Sequence, residues 1–239
     1  MGIPMIGCNC PVCLSSSPYN QRTRAAALLR VQGKNILLDA GPDIRQQALK
    51  YGLTHIDGLL ITHTHYDHIG GLDDLRAYHY RDQLSLPCLA SEESYEDLKT
   101  RCGYLLKGKK PLFSFKILEQ ERGEVDFLGL RLRYFSYAQT GMKVTGYRLD
   151  NFVFMTDIKE YSEEIFEEIQ DCEVLVLSAL EWKPTRAHIG IQEALEIAGK
   201  VKAKKVFLIH IGHELEHEET HQKLPQFVRL AYDGLTITF

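Results

Sequence analysis

The sequence predicts an α/β fold of two mixed β-sheets covered by helices, and three observations predict it. Short apolar runs of strand character and helical stretches alternate along the whole chain, strands then helices, twice over. At 239 residues the chain is long enough for one substantial core, and no linker, repeat or shift of composition divides it. Residues 1–239 therefore read as a single domain. Third, an apolar strand over residues 58–62 runs straight into four metal-capable side chains, His63, His65, Asp67 and His68.

Taken in order, residues 24–31 and 35–39 read as a hairpin around Gln32-Gly33-Lys34. Residues 42–51 read as a helix, with Pro42 in its first turn and Gly52 as its stop. Residues 72–80 form a loop or short helix, 86–90 a strand, and 92–101 a helix capped by Ser91. The basic run Lys107-Gly108-Lys109-Lys110 reads as a solvated loop. Strands follow over 112–118, 124–127 and 130–137, with Gly129 turning between the last two. A strand over 151–155 ends at Thr156-Asp157, and a helix over 162–170 follows. Residues 173–177 are a buried strand, 190–200 a helix, and 205–209 the last core strand, with His210 at its end.

Charge and cysteine usage narrow the class. A net charge of −4 gives no global pull toward nucleic acid or an anionic membrane. No apolar run is long enough to span a bilayer, and no signal-peptide pattern opens the sequence. Of six cysteines, Cys8, Cys10 and Cys13 cluster while Cys88, Cys102 and Cys172 are dispersed. That is not a secreted disulfide framework, so a cytoplasmic location is expected.

In extended backbone His63 and His65 point to one face, and Asp67 and His68 follow a turn later. Imidazole suits zinc, iron or manganese, and a carboxylate among the imidazoles suits a second, harder site. Gly70 and Gly71 leave room for close backbone approach behind the cluster. Three thiols within six residues, stiffened by Pro11, fit three corners of a tetrahedral structural zinc. His79 reads as a surface or packing residue. The tail also carries His213-Glu214-Leu215-Glu216-His217, the H-E-x-x-H signature of zincin proteases, and His221 would extend its helix face. Its many glutamates and single leucine describe a solvated face, which counts against that reading.

The H-x-H-x-D-H run resembles the signature of the metallo-β-lactamase superfamily. The resemblance implies an αββα sandwich of two mixed sheets flanked by helices, with a hydrolytic site for one or two metals. The Cys8-x-Cys10-x-x-Cys13 motif is similar to that of the PhnP-like phosphodiesterases, which complete a zinc site with a late histidine, here His213. That branch opens with a strand ahead of Gly-x-Pro, whereas this chain begins Met1-Gly2-Ile3-Pro4, so the first strand is expected to be missing. The resemblance implies one divalent cation on Asp67, His68, Asp157 and His210, and a weaker one on His63, His65 and Asp157. It makes Asp39 a residue that orients the histidine loop, and His188 the proton donor that acts beside the catalytic Asp67.

Several positions depart from the branch. Its third imidazole is expected just before Gly146-Tyr147-Arg148, where this chain has Gln139-Thr140-Gly141, Thr140 matching best. Ser178, Glu181 and Thr185 stand where the branch carries Asp, Arg and His. The implied cofactors are a structural Zn2+ and one or two catalytic Zn2+ or Mn2+ ions. The implied activity is hydrolysis of a small or cyclic phosphodiester by metal-activated hydroxide, with a small-molecule partner, no membrane, nucleic acid disfavoured, and a homodimer. The alternatives are a catalytically impaired metal-binding protein of the same fold, a thioester hydrolase, and a ribonuclease Z-like enzyme, whose basic Gly-rich arm is not visible here.

Overall fold

Strands β1 (Ala27–Val31) and β2 (Lys34–Leu38) form the expected antiparallel hairpin, turned by Gln32 and Gly33, both at positive φ. They open the first of two compact units in a computed structural model that describes residues 2–239; Met1 lies outside the described residues. This unit holds residues 24–121 and 127–129. Helix α1 (Ile44–Lys50) leads to β3 (Gly58–Leu60), then α2 (Tyr66–Ile69), α3 (Arg76–Asp82), β4 (Leu86–Ser91), α4 (Glu92–Cys102) and β5 (Phe113–Leu118). The five strands pair in sequence order, the first pair antiparallel and the others parallel. Ser91 caps α4 as expected, its Oγ accepting from Ser94 N at 3.2 Å. Leu37, Leu59, Ile61, Leu72, Leu75, Cys88 and Leu98 are among the residues of its apolar core.

The second unit holds residues 1–23, 122–126 and 130–239, of which the structure describes all but Met1. Its strands are β6 (Arg122–Phe127), β7 (Leu130–Gln139), β8 (Met142–Leu149), β9 (Phe152–Met155), β10 (Val174–Ser178), β11 (Lys205–Ile209) and β12 (Val228–Leu230). The sheet runs β12-β11-β10-β9-β8-β7-β6. Its first four strands are parallel, and β8 pairs antiparallel with both β9 and β7. Helices α5 (Ile165–Ile169), α6 (Ile191–Val201) and α7 (His217–Lys223) complete it. The apolar side of α6 (Ile191, Ala194, Ile197, Ala198, Val201) is buried in the unit's core with Val153, Leu175 and Leu208.

The expected class of two mixed sheets with helices is the one found, with corrections within it. Strand β8 was not expected, and β11 is not the last strand, because β12 pairs parallel beyond it. Four consecutive residues of β8, Val144–Tyr147, are buried, so no polar-apolar alternation marks it. Helix α5 is shorter than 162–170, starting only at Ile165. The zincin reading fails on geometry: α7 begins at His217, so His213 lies outside the helix and shares no helical face with His217 and His221.

Candidate functional site

In the first unit the chain leaves β3 at Leu60 and turns through Ile61–His65 into the single turn of α2. Thr62, His63 and His68 are fully or almost fully buried, and Asp67 and His65 are partly buried. One carboxylate organises them. Asp39, at the end of β2 with φ 62°, accepts from Thr62 N at 2.8 Å and from Thr62 Oγ1 at 2.7 Å. Its Oδ2 also lies 2.7 Å from His68 Nδ1. The Nδ1 proton of His68 is thereby held on the carboxylate side, which puts the ring's lone pair on Nε2. Thr62 Oγ1 gives its proton to Asp39 and so accepts from His63 Nδ1 at 2.9 Å. The lone pair of His63 is then on Nε2, 3.0 Å from Nδ1 of His65. Such carboxylate and hydroxyl partners fix tautomer and orientation in metal-binding histidines. The expected role of Asp39 matches these contacts.

Glycine permits the loop to close on itself. A Cβ on Gly41 would collide with the Asp67 carbonyl oxygen, and one on Gly71 with the Gly41 carbonyl oxygen. Main-chain bonds from Ala40 N to His68 O (2.7 Å) and from Gly71 N to Ala40 O (2.8 Å) hold this approach.

In the second unit Asp157 and His210 follow the ends of the parallel strands β9 and β11, both at positive φ (55° and 57°). Strand ends of this kind are where open α/β sheets place ligand groups. Asp157 is buried, and its Oδ1 lies 3.5 Å from both His188 Nδ1 and His210 Nε2. Its Oδ2 accepts from Thr156 Oγ1 at 2.5 Å. The two rings stack with centroids 5.1 Å apart. Donor atoms of Asp157, His188 and His210 all lie within 4.8 Å of one another, a spread one cation can bridge. Between the two strand ends Ser178 closes β10, its buried Oγ without a hydrogen-bond partner among the described residues.

His188 sits in the loop before α6, and Thr185 shapes that loop. Thr185 Oγ1 accepts from His188 N at 3.0 Å and from Ala187 N at 3.3 Å. The threonine that replaces an expected histidine therefore positions His188. The Thr140 assignment is corrected. Thr140 and Gly141, both at positive φ, make the exposed two-residue tip of the β7–β8 hairpin. The preceding Gln139 is the buried residue that reaches the cluster, its Nε2 3.0 Å from Asp157 Oδ1 and 3.2 Å from His188 Nδ1. The signal lay in the sequence: Thr-Gly after a strand marks a hairpin tip, so an inward residue must precede it.

A third cluster lies in the second unit. Cys8, Cys10 and Cys13 Sγ lie 3.3, 3.4 and 3.6 Å from His213 Nδ1. Zinc bonds of about 2.3 Å to sulfur and about 2.0 Å to nitrogen place tetrahedral ligands about 3.5 Å apart, so the four fit zinc. Amides support the sulfurs: Cys13 N donates to Cys10 Sγ at 3.4 Å and Met5 N to Cys13 Sγ at 3.3 Å. The first of these contacts leads in lowering the Cys10 thiol to about 6. The Met5 amide pulls Cys13 down, but burial and the neighbouring thiols outweigh it and raise that thiol. His213 Nε2 meets the Glu214 carboxylate at 3.1 Å, which secures the Nδ1 lone pair for a metal. So the glutamate of the H-E-x-x-H run supports a thiol zinc site.

Comparison with known proteins agrees with this architecture. A Beta-lactamase superfamily domain matches residues 34–211. The crystal structure of a new diphosphatase from the PhnP family superposes with a TM-score of 0.93 at 33% identity, covering 100% of this chain and 93% of that one. Zn2+-bound PqqB from Methylobacterium extorquens, 17% identical, shares the fold with a TM-score of 0.80, covering 100% of this chain and 96% of that one. An octanoyltransferase of Porphyromonas gingivalis is 31% identical over 241 residues, which are 98% of this chain and 48% of the relative. The chain thus spans about half the length of that relative. With a family match over most of its length and a close structural relative beside it, the chain belongs to the metallo-β-lactamase superfamily, in its PhnP-like branch.

Proposed function

We propose that this chain is a metal-dependent hydrolase acting on a small or cyclic phosphodiester. The carrying observation is the buried Asp39–His68 contact of 2.7 Å with its Thr62–His63 extension. Buried, carboxylate-oriented, neutral imidazoles are what a divalent cation requires, and a packing histidine has no need of them. The solved relative at 33% identity is named a diphosphatase, which supports a phosphoryl substrate. The octanoyltransferase name belongs to a protein about twice as long and assigns no acyl transfer to this span.

In this proposal His63, His65, Asp67 and His68 are the ligands that the first unit offers a divalent cation, Zn2+ or Mn2+, and Asp157 and His210 are those that the second unit offers. Cys8, Cys10, Cys13 and His213 hold a structural Zn2+. A cation so held supplies Lewis acidity toward phosphoryl oxygens and lowers the pKa of water toward neutrality. The protein's own groups do the rest. Asp39 keeps His68 and, through Thr62, His63 in the ligand tautomer. Asp67, partly buried one residue before His68, adds a carboxylate ligand. His188, held by Thr185 and facing Asp157, delivers a ring N–H proton to the leaving alkoxide.

The test is hydrolysis of a bis-aryl phosphate and a panel of cyclic phosphodiesters with Mn2+, Ni2+ or Zn2+, against a thioester control. His188→Ala is expected to lower kcat about 10²–10⁴-fold. Equal rates for His188→Ala and wild type would remove the acid role. Thioester turnover without phosphodiester turnover would remove the substrate class.

A further inference from the structure

Met155 is the last residue of β9, and Thr156 beyond it is fully buried. A buried backbone N–H and C=O past the end of a strand each need a partner. Here one group serves both. The Tyr137 hydroxyl accepts from Thr156 N at 3.0 Å and donates to Thr156 O at 2.8 Å. Tyr137 is buried and reaches Thr156 from β7, across β8 in the sheet. The Thr156 carbonyl shares its rigid peptide plane with Asp157 N, so holding it fixes the plane from which Asp157 turns. Val153 and Met155 lie in the unit's apolar core, and period-two alternation would send residue 157 to that same face. The backbone instead adopts a φ of 55° at Asp157. A left-handed conformation in a residue with a Cβ persists where its surroundings hold it, and the Tyr137 clamp on the preceding residue does so here.

The Asp157 side chain is fixed from the same two segments. Thr156 Oγ1 donates to Oδ2 at 2.5 Å, and the NH2 of Gln139 donates to Oδ1 at 3.0 Å. Gln139 stands two residues beyond Tyr137, on the same buried face of β7. A carboxylate oxygen accepts along two lone-pair directions, so each oxygen keeps one for a cation shared with His210, whose Nε2 lies 3.5 Å from Oδ1. A phenylalanine at 137 would fill the same space in the core, whereas the hydroxyl's two bonds act on the turn into Asp157. We infer that Tyr137 and Thr156 are positioning residues for Asp157. The Tyr137 hydroxyl sets the backbone turn and the Thr156 hydroxyl sets the rotation of the carboxylate, so the ligand is in place before a cation arrives. The inference rests on the proposed metal centre but not on which ester is cleaved.

The experiment uses full-length protein with its thiol site preloaded with zinc, titrated with MnCl2 alone and followed by calorimetry, with circular dichroism and thermal melting on the same samples. Asp157→Ala identifies the part of the isotherm that belongs to this site. Tyr137→Phe is expected to weaken that part roughly ten-fold or more with the folded spectrum kept, the usual scale for loss of a group that supports a metal site. Thr156→Val is expected to do the same, and Thr156→Ser, which keeps the hydroxyl, to bind as wild type does. A hydroxyl that serves stability alone would lower the melting temperature and leave Mn2+ affinity unchanged, and that result for Tyr137→Phe overturns the inference. If Tyr137→Phe does not fold, the two Thr156 variants decide. Loss in Thr156→Val with retention in Thr156→Ser supports the inference, and any other combination overturns it. Wild type that takes up no Mn2+ at this site removes the metal centre and the inference with it. Weakened binding in variants of a protein that cleaves no phosphodiester leaves this inference standing and removes the substrate class.

Discussion

Asp39 carries a large share of the site's order through three hydrogen bonds. Asp39→Asn offers Nδ1 of His68 an amide in place of a charged acceptor, and the ring loses its fixed tautomer. The expected outcome is a metal affinity lower by roughly 10–100-fold with the fold retained, read by calorimetry against circular dichroism. Glu214 gives the opposite kind of result. Its contact is with His213 beside the three thiols, and His213 lies outside α7. Glu214→Gln is therefore expected to hasten zinc release to a chelator while phosphodiester turnover stays at the wild-type level. A loss of all hydrolysis would revive the zincin reading. The metal-capable residues themselves were legible as residues, because imidazole, thiolate and carboxylate at these spacings have few other uses. Which amide or hydroxyl orients them was not legible: Thr62, Thr185 and Gln139 are common residue types whose roles come from what folds against them.

At the scale of elements, α6 shows how much pattern alone can say. Its apolar residues recur at helical spacing, and the expected 190–200 lies one residue from the observed Ile191–Val201. Ile197 is 2% exposed in the core it shares with Leu175 and Leu208. Ile197→Ala is expected to cost about 2–5 kcal/mol, measured as a shift of the denaturation midpoint at unchanged slope. Strand β8 was missed for a physical reason. It is buried along Val144–Tyr147, and Gly146 interrupts it where the Phe135 ring fills the space a Cβ would need. Its identity as a strand depends on a neighbour eleven residues earlier. Pairing, not propensity, defines it.

At the scale of the whole chain, the early segment is clasped to the late one within the second unit. Buried Asn20 donates to Glu216 at 2.7 Å and accepts from His217 N at 3.0 Å, while Thr23 N donates to Asp233 at 2.9 Å. Arg22 donates to the Ala231 carbonyl and to His217 Nδ1, the latter at 2.9 Å. Burial lowers the Arg22 guanidinium to about 10. Burial first, then the Arg22 charge, lowers the His217 pKa below its ordinary 6.5. The folded state therefore holds His217 neutral, and the unfolded chain binds its proton more readily. The associated stability is present above about pH 6.5 and is lost as pH falls through the lower folded value. Melting temperature is thus expected to fall more steeply in wild type than in His217→Gln as pH drops from about 7 to about 5. Parallel curves would show that His217 is not responsible. Among the described residues no helix is long and apolar enough to cross a membrane.

The sequence by itself determined the chemistry on offer and most of the element order. Donor identity and local periodicity are properties of a few consecutive residues, so the histidine run, the thiol triplet and the amphipathic α6 can be read without a fold. Tertiary structure decided the assignments that depend on partners far apart in sequence. It gave His213 to cysteines about two hundred residues away, ended the zincin helix short of His213, and moved the inward-facing position from Thr140 to Gln139. Ligand geometry is set by pairing and close packing between distant segments, and a local pattern such as Thr-Gly marks the tip of a hairpin but not what its inward neighbour meets.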